Sequence, residues 1–138
     1  MRKGFTLIEL LIVLAVIAAL MAVATPLAVN AVRNARATNV ASNFRNIKTA
    51  IENYWHDKHP EVDEIKNAEL RTLVDEGYLT SAPQGFKVNF TGTTDVKYKI
   101  EYDVGKYPVD KNKVQQIIPE VQEAGTSLTL EGTLTRWW

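Results

Sequence analysis

The chain has 138 residues, with 16 basic side chains, 16 acidic side chains and no cysteine. This length suits one small globular domain, and the lack of cysteine excludes disulfides, thiolate catalysis and cysteine-ligated zinc. The balanced charge provides no overall field that would attract nucleic acid or anionic lipid. The balance conceals an asymmetry, because residues 1–58 carry a net charge of +4 and residues 59–138 a net charge of −4. Such an acidic C-terminal part is a poor non-specific binder of DNA.

The chain begins with the short basic segment Met1–Gly4, and an apolar run from Phe5 to Val29 follows at once. As a helix that rises ~1.5 Å per residue, this run measures roughly 37 Å, enough to span a hydrocarbon core of ~30 Å. Arg2 and Lys3 predict that the N-terminus faces the cytoplasm. An ordinary secretory signal is the alternative, but the apolar run is longer than usual for such a signal and has no clear small-residue cleavage site.

Glu9 is the one acidic residue inside the apolar run. A carboxylate at membrane depth costs on the order of 3 kcal/mol unless it is paired or protonated, so we interpret Glu9 as a functional residue. The structural alternative is that its side chain reaches the membrane interface. Pro26 lies late in the same run, where it removes a backbone donor and predicts a kink or a local loosening of the helix.

Residues near the start of the chain resemble the class III signal of type IV prepilins and the related pseudopilins: Arg2-Lys3-Gly4-Phe5-Thr6-Leu7-Ile8-Glu9. In that family a membrane-embedded peptidase cuts after the glycine and methylates the new N-terminus. The resemblance therefore implies cleavage between Gly4 and Phe5 and N-methylation of Phe5. It also implies that Glu9 pairs with the Phe5 ammonium of a neighbouring subunit during assembly, and that Pro26 marks a stretch that loses helicity in the filament.

The resemblance implies a structural subunit, not an enzyme, that polymerises through its N-terminal helix into a type IV pilus for motility, adhesion or DNA uptake. The implied partners are further copies of the chain, prepilin peptidase, the pilus assembly platform with its ATPase, and the inner membrane before assembly. We expect no cofactor, no metal and no direct nucleic-acid site. The implied location is a single-pass inner-membrane precursor and then an extracellular pilus.

The alternatives are a minor pilin, a pseudopilin of type II secretion, and an enzyme. Major pseudopilins resemble pilins at the N-terminus but use a calcium site of clustered acids, whereas Asp95, Asp103 and Asp110 are dispersed in this sequence. An enzyme finds little support, because the sequence has no glycine-rich phosphate loop and no motif that pairs a nucleophile with a base. Many pilins carry a disulfide near the C-terminus, and this chain cannot form one.

The segment after the apolar run predicts the amphipathic upper half of one helix that runs from Phe5 to near Lys58. Apolar side chains recur there at spacings of three and four and form one stripe: Val40, Phe44, Ile47, Ile51 and Tyr54. Next to the end of this helix, His56 and His59 have a spacing that can hold zinc. Because Pro60 follows directly and ends the helix, we do not expect a metal site there.

The following region predicts one short helix, with Asn67 as its N-cap and Gly77 as its end. Its buried edge is predicted to comprise Leu70, Leu73 and Val74.

Period-two alternation then predicts three strands, at residues 86–90, 96–102 and 128–134, and residues 91–95 are short enough to close a hairpin. Between the second and third strands, helical spacing predicts one helix that starts after Asp110 or Asn112 and stops at Gly125. Because Pro119 interrupts it, two short turns are an equal alternative. Trp137 and Trp138 are predicted to complete the packing of the sheet rather than to form an exposed contact.

The predicted fold is therefore α+β, with a long N-terminal helix packed on a small antiparallel sheet of three to four strands. We divide the chain into a leader at residues 1–4, a transmembrane half of the helix at 5–29 and an amphipathic half at 30–58. A connecting region at 59–85 and a sheet head at 86–138 complete the prediction.

Overall fold

The computed structural model describes residues 4–138. In chain order, its helices and strands are α1 (Leu7–Lys58), α2 (Val62–Lys66), α3 (Leu70–Asp75), β1 (Phe86–Thr91), β2 (Val96–Asp103), α4 (Lys111–Ile117), β3 (Gln122–Ala124) and β4 (Ser127–Leu134). The chain divides into two compact units, Met1–Ala35 and Arg36–Trp138. The predicted α+β fold is confirmed, with a long helix packed on a four-stranded antiparallel sheet.

Helix α1 has 52 residues and continues through Pro26 without an interruption in its assignment. No glycine lies inside it, and alanine and straight-chain residues favour the helical backbone. The helix begins two residues later than predicted and ends at Lys58 as predicted. It stops there because Pro60 disfavours the helical conformation of the residue before it, and His59 adopts a φ of 48°.

The four strands have the spatial order β1-β2-β4-β3, and every neighbouring pair is antiparallel. Val88 pairs with Ile100, and Ile100 pairs with Leu130, so three buried side chains align across the sheet. The first two strands bury every second residue, which is the alternation that the sequence predicted. The short strand β3 was not predicted, because all three of its residues are exposed and show no alternation.

The core lies between the sheet and the part of α1 that begins at Ala37. The predicted stripe is confirmed, since Phe44, Ile47 and Ile51 are fully buried and Val40 nearly so, while Tyr54 is half-buried. The ring of Phe44 meets that of Phe86 on β1 edge to face, with centroids 4.9 Å apart. Trp55, which the prediction left out of the stripe, is the largest fully buried side chain.

The connecting region differs from its prediction, because it contains two short helices instead of one. Asn67, the predicted N-cap, instead ends α2 as its C-cap, and Glu69 begins α3. The carboxylate of Glu69 and the hydroxyl of Thr72 form a reciprocal capping box, which a threonine can complete in place of the usual acid. Leu70 and Leu73 are buried as predicted, whereas Val74 is only half-buried. Gly77 follows α3 with a φ of +82°, which confirms the predicted stop.

The segment between β2 and β3 forms one helix, α4, so the alternative of two short turns is wrong. The carboxylate of Asp110 caps it by accepting the backbone N–H of Lys113 at 3.3 Å. Ile118 is extended because Pro119 follows it, and the helix therefore ends well before the predicted stop at Gly125. Gly125 instead forms the turn between β3 and β4, with a φ of +61°.

The two C-terminal tryptophans do not complete the sheet, which corrects the sequence-based expectation. They follow the last strand, and Trp137 is 64% exposed and Trp138 39% exposed. Their rings lie against the end of α1, where Trp138 is 5.0 Å from the ring of buried Trp55.

Candidate functional site

The start of α1 is built by a reciprocal pair of hydrogen bonds between Thr6 and Glu9. The backbone N–H of Thr6 donates to Oε2 of Glu9 at 2.9 Å, and the backbone N–H of Glu9 donates to Oγ1 of Thr6 at 3.2 Å. This is a capping box, which satisfies two backbone donors that a helix start leaves without partners. A negative charge in the first turn also interacts favourably with the helix dipole.

The sequence analysis missed Thr6, although the signal was present. A threonine followed three residues later by glutamate is the pattern of a capping box. The structure therefore gives Glu9 a local partner in the single subunit, in addition to any partner it gains on assembly. Gly4 and Phe5 precede the helix and take no part in this hydrogen-bonded turn.

Phe5 is 92% exposed, and a side chain added at Gly4 would have no atom of the described residues within 4 Å. Nothing in this part of the structure restricts access to the peptide bond between these two residues. The basic residues Arg2 and Lys3 lie outside the residues that the structure describes. The predictions of cleavage and methylation at this bond stay predictions.

The following part of α1 is apolar on every side and is not covered. Its large apolar side chains between Leu7 and Val32 are 46–75% exposed. By length and composition α1 can cross a membrane, and none of the residues in its most apolar window is buried. This excludes the common alternative of a core helix in a soluble protein, whose apolar residues would be covered. Pro26 lies within this surface, and its predicted loosening of the helix stays a prediction.

An uncovered apolar helix with one acidic residue in its first turn can do two things chemically. In a bilayer it satisfies its backbone internally and presents only apolar side chains to lipid. In an assembly it can pack against other helices of the same kind, where Glu9 can neutralise a cation. The described residues bring Thr6 and Glu9 together at this site, and they leave Phe5 free to meet a neighbour.

Residues 1–25 match the family described as the prokaryotic N-terminal methylation motif. This motif is the class III signal of type IV pilins and pseudopilins. No curated protein and no solved structure matches the chain at a significant level. The match covers the leader, the capping box and most of the apolar surface. It supports the interpretation that the chain is a type IV pilin or pseudopilin.

The pilin-like family that carries this motif consists of structural subunits. The motif also implies processing by prepilin peptidase and assembly into a pilus. Together with the long apolar helix, it fits a precursor in the inner membrane. The particular filament and its use are treated below as a proposal.

The end of α1 carries the two histidines that the sequence analysis considered as zinc ligands. In residues 4–138 no group of three or more His, Cys, Asp or Glu side chains is arranged to hold a metal ion. Each imidazole contacts a tryptophan instead. His56 accepts a hydrogen bond from Trp137, and His59 stacks on Trp138.

Four tyrosines in the second unit, Tyr54, Tyr78, Tyr98 and Tyr102, have raised pKa values, and Tyr98 and Tyr78 illustrate two different causes. Burial, supported by the nearby Glu52 carboxylate, raises the pKa of Tyr98 to about 12. The hydroxyl of Tyr78 donates to Oδ2 of Asp57, and this hydrogen bond raises the pKa of Tyr78. Both shifts favour the neutral phenol.

Proposed function

We propose that this chain is a structural subunit of a type IV pilus. Prepilin peptidase would cut it between Gly4 and Phe5 and methylate Phe5, and the subunit would then polymerise through α1 into a cell-surface filament for motility, adhesion or DNA uptake. The observation that carries the proposal is the start of α1. Glu9 belongs to the helix cap there, and the apolar surface that follows is not covered by any part of the described chain.

The uncovered surface supports a change of environment during the life of the subunit. Before assembly, lipid would cover the apolar side chains of residues 5–32, and in a filament the same side chains would pack against equivalent helices. Such helices associate through close van der Waals packing, since lipid tails are as apolar as the helix surface and provide no hydrophobic driving force. Removal of Arg2 and Lys3 with the leader would take away the charges that hold this end in the cytoplasm.

The proposed cleavage explains why an acidic residue lies within the apolar run. It would create an ammonium at Phe5, and a cation inside an apolar filament needs an anion beside it. Glu9 lies four residues after Phe5 and is the acid available within the apolar run. Leaving either charge alone would cost ~3–5 kcal/mol, so pairing between neighbouring subunits would favour one register of assembly.

The proposal is tested by processing and assembly in the native cell. Gly4→Leu is the informative variant, because no described atom lies within 4 Å of a side chain added at Gly4 and the fold should tolerate it. We expect uncut precursor in the membrane and no filaments. The exposed variant Lys87→Ala on β1 is the control and should behave like the wild type.

Mass spectrometry of the wild-type subunit and electron microscopy of sheared filaments give the readouts. The expected mature chain starts with methylated Phe5 and is the main component of the filaments. A different first residue, or normal filaments from Gly4→Leu, would contradict the processing that we propose. Filaments that lack this chain would assign it to the minor pilins or to the pseudopilins.

A further inference from the structure

Four aromatic side chains form an exposed surface beside the end of α1. We call this surface the aromatic platform, and it consists of His56, His59, Trp137 and Trp138. Trp137 is 64% exposed and Trp138 39% exposed, and both histidines are exposed as well. Contiguous exposed aromatic groups of this kind mark binding sites more often than single exposed apolar residues do.

The platform is exposed and yet its rings are held in place. Nε1 of Trp137 donates a hydrogen bond to Nδ1 of His56 at 2.9 Å. The ring of Trp138 stacks on that of His59, with centroids 4.3 Å apart and planes 25° apart, and it also contacts buried Trp55. A surface that is already ordered loses little conformational freedom when it binds, so more of its contact energy contributes to affinity.

The backbone at His59 strengthens this interpretation. Among the described residues His59 is the one non-glycine with a positive φ, at 48°. Such a conformation persists where the surroundings determine it, and strained residues of this kind concentrate at binding sites. Here it brings the imidazole against both tryptophan rings, at 4.3 Å from Trp138 and 5.2 Å from Trp137.

The charges around the platform exclude an anionic ligand. Residues 56–64 contain four acidic side chains and one lysine. That lysine, Lys58, pairs with Glu76 at 2.9 Å, and Arg136 beside the platform pairs with Glu61 at 3.0 Å. Phosphate polymers and anionic lipids need uncommitted cations, which this surface does not offer.

We propose that the aromatic platform binds neutral oligosaccharides built from β-linked hexopyranose units. One face of such a sugar ring consists of C–H groups, which carry a small positive charge and match the negative face of an indole ring. The hydroxyl groups at the ring edge need hydrogen-bond partners, and the imidazole nitrogens of His56 and His59 can supply donors and an acceptor. Trp137 offers the most exposed ring and is the main stacking residue.

This inference goes beyond filament assembly and can fail separately from it. The platform belongs to the unit Arg36–Trp138, whereas the assembly site lies in residues 4–35. Purified subunits are therefore tested for sugar binding, and filament yield is measured independently in cells.

The test uses the full chain in detergent micelles with three probes. A tetramer of β-linked N-acetylglucosamine and a tetramer of β-linked glucose represent the proposed class, and heparin is the anionic control. Calorimetry and tryptophan fluorescence report binding, and Trp55 is buried, so the fluorescence change arises from the exposed pair. We expect binding of at least one neutral tetramer and no comparable binding of heparin.

Trp137→Ala and Trp137→Phe form the matched pair of variants. Trp137→Ala should weaken binding by about tenfold or more, by analogy with the loss that follows when an aromatic ring is removed from beneath a stacked nucleic-acid base. Trp137→Phe keeps a ring and should retain most of the binding, although it loses the hydrogen bond to His56. Circular dichroism and thermal unfolding verify that both variants are folded.

Three results would overturn the inference. The first is that neither neutral tetramer binds to the chain. The second is that Trp137→Ala and the wild type bind a tetramer equally well, and the third is that heparin binds more tightly than either tetramer. A fourth concerns the filament. If Trp137 is shielded from a soluble quencher in filaments and Trp137→Ala abolishes their assembly, the platform is a contact between copies of the chain and not a sugar site.

Discussion

Replacing Glu9 by glutamine separates the two roles that the structure and the proposed assembly give to this residue. In the subunit, Oε2 of Glu9 accepts the backbone N–H of Thr6 at 2.9 Å, and the amide oxygen of glutamine can accept the same hydrogen bond. Glu9→Gln therefore removes the charge and keeps the cap. Thr6→Ala is the matched control, because it removes the hydroxyl that accepts the N–H of Glu9 at 3.2 Å and keeps the carboxylate.

The two losses differ in size. Removing one member of a helix cap costs about 0.5–2 kcal/mol. Leaving the Phe5 ammonium without an anion in an apolar filament core costs ~3–5 kcal/mol for each subunit. Since every 1.4 kcal/mol is a factor of ten, Glu9→Gln should reduce subunit addition by roughly a hundredfold or more. Thr6→Ala should reduce it by about thirtyfold at most.

The assay compares filament yield with processing in the same cells. Sheared surface filaments are quantified by immunoblot, and mass spectrometry reports whether each variant is cut and methylated. Both variants should be processed normally, and only Glu9→Gln should lose its filaments. Normal yield from Glu9→Gln would refute the pairing, and an equal loss in Thr6→Ala would show that the acid acts through the helix cap instead.

Three further predictions concern the stability of the second unit in the micelle-bound full chain. A Cβ at Gly132 would lie 2.6 Å from Cε1 of buried Tyr98. Gly132→Ala should therefore lower the free energy of unfolding by roughly 1–3 kcal/mol. An unchanged free energy in denaturant titration would contradict this packing. Trp55→Phe removes the hydrogen bond from Nε1 to the carbonyl oxygen of Thr135 at 3.2 Å and leaves a void. We expect the free energy of unfolding to fall by about 1–3 kcal/mol in the same titration. An unchanged midpoint would exclude this. The third is a pH dependence. The pKa of Tyr98 is raised to about 12 in the folded chain, against about 10 when unfolded, so its contribution to stability should be complete below about pH 10 and be lost as the pH rises toward 12. Tyr98→Phe should flatten this part of the stability curve, and an unaltered slope in that variant would show that other groups cause it.

The sequence predicted the elements whose burial follows a local period. The stripe on α1 and the alternation in β1 and β2 are visible in short windows, because one face of each is buried and the other is not. The alternating sequence also located β4, although Thr129 is buried there between Leu128 and Leu130. Trp55 continues the α1 stripe four residues after Ile51, and the prediction stopped at Tyr54, which is only half-buried. Its omission was an error of reading and not a limit of the pattern.

Strand β3 could not be predicted in the same way. Its residues Gln122–Ala124 are all exposed, and the strand exists because the turn at Gly125 places it against β4. The sequence analysis assigned Gly125 to the end of a helix that in fact ends before Pro119. Such a short edge strand is specified by its turn and its partner, neither of which contributes to its own periodicity.

The helix cap at Thr6 and Glu9 and the aromatic platform differ in how far each can be predicted from the sequence. Thr6 and Glu9 are three residues apart, so the pattern of their capping box is contained in the sequence itself. Trp137 and His56 are 81 residues apart, and no local pattern relates them. The exposure of Trp137 depends on where the chain goes after β4, which only the fold provides.

The position of the core is compatible with the proposed use of α1 first in a membrane and then in a filament. Among the described residues no buried core residue precedes Ala37, so the core belongs entirely to the unit that begins at Arg36. Side chains of residues 7–35 can therefore exchange lipid for neighbouring helices while every buried contact of the second unit is kept. In a chain without cysteine, that independence rests on packing and hydrogen bonds, and the large buried rings of Phe44 and Trp55 contribute to the packing from α1 itself. The same helix thus carries the proposed assembly surface and the wall of the core, in different segments of its length.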